Sequence, residues 1–110
     1  MADPVVHFEI GCRDLAATKS FYAQMFDWRI GGDSMIAPGP NGIGGHLVAL
    51  GHEPHNYTLV YIQVEDLDAS LAKAQALGGK KVLGPIQIPL GTFAWIADPE
   101  GNHIGLWKPA

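Results

Sequence analysis

The sequence predicts an α+β fold made of two βαβββ modules carrying mixed sheets, and three observations support that prediction. The chain repeats itself: VVHFEIGCRDLAATKSFYAQMFDW at 5–28 is echoed by TLVYIQVEDLDASLAKAQALGGKK at 58–81. Each copy is an apolar run that reaches Asp-Leu and continues into a helix-like segment. After each Asp-Leu, apolar residues recur at three- to four-residue spacing, as one face of a helix requires. What remains is short runs rich in Val, Ile, Phe, Tyr and Trp, punctuated by Gly and Pro, which is the pattern of strands and turns.

Taken in order, the run 6–10 favours a strand through its Val, Phe and Ile content. Asp14 then suits a helix N-cap, because a short carboxylate accepts from the first free helix N–H groups. Leu15, Thr18, Phe21, Tyr22, Met25 and Phe26 give the following helix its apolar face. WRI, SMIA and GGHLVAL supply three short strands, and GHEPHNY at 51–57 reads as a surface linker. The second copy opens with a strand over 59–64 and caps its helix with Asp66. Leu67, Leu71, Ala74 and Leu77 line that helix, and Gly78-Gly79 stop it. KVLG, TFAWIAD and HIGLW are its closing strands. One domain over 1–110 thus holds module 1 at 4–50, the linker at 51–57 and module 2 at 58–108.

The composition narrows the choice of partners. Net charge is −4 and the seven Lys and Arg are scattered, with only Lys80-Lys81 adjacent, so neither nucleic acid nor an anionic membrane is expected. The single cysteine, Cys12, permits no intrachain disulfide and reads as a small core residue. MADPVVHFEI lacks the basic and apolar regions of a leader, and no apolar run approaches the roughly 20 residues of a membrane span. A cytoplasmic protein is the expectation. The glycines of GPNGIGG precede a strand rather than a helix, so they do not form a phosphate loop.

The duplicated units, the HFEI…DL…FY…MF.W opening and the DPEGN turn at 98–102 together resemble the vicinal oxygen chelate superfamily of glyoxalases, bleomycin-resistance proteins and extradiol dioxygenases, over residues 5–108. Within it the chain is most similar to the short, glyoxalase-like bacterial branch. The resemblance implies cupped sheets and a two-fold homodimer. It also implies metal-ligand positions at the first and last strand of each module. Carried onto this sequence, those positions are His7, Leu59, Gly44 or Gly45 with His46 just beyond, and Gly105. One of the four is plainly filled, whereas a catalytic divalent metal needs about three protein ligands. No cofactor is therefore expected. A divalent metal remains possible only at a rebuilt site drawing on His7, Glu9, His46 and His103, since residues two apart on a strand share a face.

Two function classes follow. In the first, the glycines make room in a cavity lined by His7, Glu9, His46, Tyr61, Gln63, His103, Gly105 and Trp107, which binds a small apolar or aromatic molecule. In the second, the chain is a glyoxalase-like lyase or dioxygenase-type enzyme in which His7 and Glu9 act as an acid/base pair, with a rebuilt metal site or none. A plain structural reading stands beside both: the glycines serve strand twist alone, His7 is an ordinary strand histidine, Trp28, Trp95 and Trp107 pack the core, and His52 and His55 are solvated.

Overall fold

The computed structural model describes residues 2–110 and divides into two compact units. One comprises His7–Leu59; the other comprises Val60–Ala110 together with the chain up to Val6.

The first unit carries β1 (Val5–Gly11), α1 (Leu15–Phe26), β2 (Met35–Ile36) and β3 (Gly44–Val48). β1 and β3 run parallel with His7 opposite Gly44 and Glu9 opposite His46, and β2 lies antiparallel on the far side of β3. Asp14 caps α1 as expected, its carboxylate accepting from the Ala17 amide at 3.0 Å. The helix ends at Asp27, which takes a left-handed φ of 59°. Its packed face differs from the expected one. Leu15, Thr18 and Tyr22 are partly covered, but Phe21 is 58% exposed and Met25 and Phe26 also stand out. A 100° step per residue carries positions 21 and 25 onto the flank of the face defined by 15, 18 and 22. The strands expected at WRI and SMIA shrink to one bridge, Ile30 to Ile36, and the two residues of β2. Turn chemistry takes the remainder: the Asp33 carboxylate accepts from the Met35 amide at 3.0 Å, and Ser34 has φ 70°.

The second unit carries most of β4 (Tyr57–Gln63), then α2 (Leu67–Ala76), β5 (Lys80–Ile88), β6 (Gly91–Ala97) and β7 (His103–Pro109). β4 pairs parallel with β7, and β7–β6 and β6–β5 are antiparallel. The core lies under α2, where Leu67 and Leu71 meet Val64, Ala94 and Leu106, flanked by Ile62 and Ile96. Asp66 caps α2 through the Ala69 amide at 3.0 Å. Leu77, expected on the apolar face, is instead the C-cap and is 70% exposed. Gly78, at φ 95°, turns the chain out of the helix. β5 is longer than KVLG suggested, but its pairing with β6 shifts twice around Gly84-Pro85, and it stays exposed along most of its length. The DPEGN turn owes its shape to Asp98. One carboxylate oxygen accepts from the Glu100 and Asn102 amides at 2.9 Å, and the other from the Asn102 side chain at 3.0 Å. Among the described residues, no helix is long and apolar enough to cross a membrane.

Leu71→Ala should lower stability by about 2–4 kcal/mol in urea unfolding because it opens a cavity under α2. Phe21→Ala, on an exposed flank, should cost no more than about 0.5 kcal/mol.

Candidate functional site

The register of β1 against β3 sets His7, Glu9 and His46 on one face of the first unit. They form a continuous chain of contacts. His7 Nε2 lies 2.7 Å from His46 Nδ1, and His46 Nε2 lies 3.0 Å from Glu9 Oε1. The Tyr57 hydroxyl donates to Glu9 Oε2. Glu9 is only 5% exposed, so its carboxylate is held away from water and depends on these partners. Tyr57 reaches it by laying its ring over Gly11, where a Cβ would come within 2.2 Å of the ring.

The proton inventory follows from this chain of contacts. An ionised Glu9 accepts from His46 Nε2–H, which leaves His46 Nδ1 as the acceptor for His7 Nε2–H. Neutral His7 then carries its basic lone pair on Nδ1. Burial lowers the pKa of His7 below the ordinary 6.5, the neighbouring His46 lowers it further, and Glu9 pulls the other way. The arrangement can take up a proton at His7 and delocalise the resulting charge toward a buried carboxylate.

In the second unit, Tyr61, Gly105 and Trp95 sit side by side across β4, β7 and β6. The Tyr61 ring lies across Gly105, where a Cβ would fall 2.4 Å from it, and the Tyr61 hydroxyl accepts from Trp95 Nε1 at 2.9 Å. Both aromatic residues are 6% exposed. Gly105 therefore does not open a cavity: its missing side chain is the space the Tyr61 ring occupies. The expectation fails likewise at Gly45, where a Cβ would meet the Phe8 ring at 2.7 Å, and at Gly44, where it would meet the Ile36 carbonyl at 2.9 Å. Gln63 and Trp107 are register neighbours on the same face as Tyr61, with Trp107 opposite Phe93. His103 lies at the exposed start of β7, its ring 6.3 Å from that of Trp95.

The residues do not fit the rebuilt metal site. His7 and His46 aim ring nitrogens at each other, Glu9 engages the opposite nitrogen of His46, and His103 belongs to the other unit. Two nitrogens fall short of the three protein ligands a catalytic metal needs. Among the described residues, no group of three or more His, Cys, Asp or Glu is placed to hold an ion. Sequence reasoning missed Tyr57, which it assigned to the linker. A usable signal was there, since Tyr57 shares its strand parity with Tyr61 and Gln63. His55, expected in solvent, is partly buried, with its carbonyl against the Gly11 backbone.

Residues 6–107 match the family described as the glyoxalase-like domain, and the chain belongs to that family. It is 45% identical over 56 residues, half of its length, to CFP32 of Mycobacterium tuberculosis, provisionally named a glyoxylase. To the anthracycline biosynthesis protein DnrV of Streptomyces peucetius it is 27% identical over 92% of its length. The chain spans 22% and 45% of those two relatives, respectively. Among solved structures, methylmalonyl-CoA epimerase from Mycobacterium tuberculosis superposes with a TM-score of 0.70 at 18% identity, covering 96% of this chain and 87% of that one. A glyoxalase/bleomycin resistance protein/dioxygenase superfamily member from Vibrio splendidus gives 0.63 at 14% identity, covering 99% and 100%. These superpositions establish the fold.

Two outcomes are expected. Gly105→Glu, which puts a carboxylate at the ligand position implied by the family resemblance, should displace the Tyr61 ring and cost about 1–3 kcal/mol in chemical unfolding. Added Zn²⁺ or Ni²⁺ should not recover that loss. Because the pKa of His7 is lower folded than unfolded, its contribution to stability is present above pH 6.5 and is lost as pH falls through the lower folded value. Melting followed from pH 7.5 down to pH 5 should show this acid decline, and His7→Gln should flatten it.

Proposed function

We propose that this glyoxalase-like protein binds a small, largely apolar or aromatic molecule, that a polar group of that molecule is held at His7, and that no resident metal is required. The observation that carries the proposal is the His7–His46–Glu9–Tyr57 chain. A buried carboxylate backed by two histidines and a tyrosine is costly to assemble for packing alone. Ligand sites combine a few fixed polar groups of this kind with apolar walls.

A second reading has its own support. The lowered pKa of His7 keeps it neutral near pH 7 and ready to accept a proton, and Glu9 stands behind it through His46 to stabilise the imidazolium. On this reading the chain is a glyoxalase-like lyase or isomerase. His7 removes a proton next to a carbonyl and returns it after the double bond has shifted. The naming of CFP32 as a glyoxylase, and of structural neighbours as methylmalonyl-CoA epimerases, is compatible with such chemistry.

Phenylacetone, a neutral aromatic ketone with exchangeable protons beside its carbonyl, separates the two readings. Calorimetric titration should show saturable binding that is unchanged after dialysis against EDTA and about tenfold weaker in His7→Ala. Absence of binding, or binding that requires added metal, refutes the metal-free reading for this ligand class. In D₂O the enzyme reading further requires accelerated deuterium incorporation beside the carbonyl, lost in His7→Ala and slowed in Tyr57→Phe. Binding with only the buffer rate of exchange leaves a binding protein.

A further inference from the structure

The opposite face of β1 from the relay borders a cleft. Phe8 alternates with His7 and Glu9, so it points to the α1 side, where its ring lies 5.4 Å from that of Trp28. Trp28 is also 5.3 Å from Phe26 and stacks on Tyr22 at 5.2 Å with only 9° between the planes. Phe8, Phe26 and Trp28, with Pro38 and Pro40 of the loop before β3, line a cleft of about 740 Å³. That volume lies within the range of small-molecule sites, roughly 300–1,000 Å³. Phe26 is 52% exposed, an apolar surface that a bound ring would cover.

Arg29 borders the same cleft and is exposed. Among the described residues its guanidinium makes no side-chain hydrogen bond or ion pair. A guanidinium without a protein partner, next to an aromatic wall, matches a planar ligand that carries a carboxylate. Asp27 also lines the cleft and sets a limit, because it repels an anion that strays from Arg29.

We propose that this cleft is a binding site for a planar aromatic acid, with the ring against Phe8, Phe26 and Trp28 and the carboxylate on Arg29. The site is separate from the His7 relay, and its ligand differs from a neutral ketone in carrying the charge that Arg29 recognises.

The test is a titration of the full chain with 2-naphthoate, followed by NMR of the three tryptophan indole N–H signals, with Trp28 assigned through Trp28→Phe. The Trp28 signal should move saturably. Arg29→Gln, or replacing naphthoate by neutral 2-naphthylmethanol, should weaken binding about tenfold. Asp27→Asn should tighten it, and His7→Ala, on the other face, should leave it unchanged. Arg29 and Asp27 are exposed, so these variants keep the fold. No saturable movement of Trp28 overturns the proposal. Equal affinity in Arg29→Gln overturns its anion specificity, and binding lost in His7→Ala relocates the ligand to the relay.

Discussion

The carboxylate of Glu9 is buried in the middle of an apolar strand, and much of the first unit is arranged around the cost of keeping it there. An unpaired carboxylate in such surroundings would neutralise or unfold its strand. Glu9 avoids this because β3 pairs in a register that brings His46 directly opposite, and because Tyr57 leans over Gly11 to reach the second oxygen. His7 joins the group through its contact with His46. A slip of one residue in the β1–β3 pairing would turn His46 to the other face and strand the carboxylate, so the same charge that suggests chemistry also specifies the register.

A second theme is the fit of rings onto glycines. Tyr57 over Gly11, Phe8 over Gly45, Tyr61 over Gly105 and Trp107 over Gly91 each place an aromatic face where a Cβ would collide. Strand glycines are otherwise weak points, lacking a side chain to pack. Here each becomes the floor of an aromatic contact. Gly105 thus gains a structural explanation. It is the seat of a buried tyrosine whose hydroxyl is tied to Trp95.

The family and the site point to related but distinct conclusions. Membership in the glyoxalase-like family accounts for the fold. At His7, Glu9 and His46 the side chains form a chain of polar contacts, and among the described residues no group of three or more His, Cys, Asp or Glu converges to hold an ion. The same scaffold can carry either, because the strands specify where a side chain stands while the residue type specifies what it does there.

Local rules were enough for the helices and for most of the strands. The Asp-Leu repeat, the two aspartate caps, the glycine that ends α2 and the turn organised by Asp98 all act within a few residues and were legible in the chain. So was the strand parity that sets His7 with Glu9, and Tyr61 with Gln63. Local pattern failed where distant segments compete for the same space. Phe21, Met25 and Leu77 were assigned to packed faces because periodicity counts apolar residues without knowing which neighbour will cover them. Tyr57 passed for linker because its partners, Gly11 and Glu9, lie more than forty residues away. Gly105 looked like empty room for the same reason. The sequence by itself determined which faces exist and which chemical groups stand on them. Only the tertiary structure decided which groups touch, since contact depends on the register between strands that are far apart in the chain.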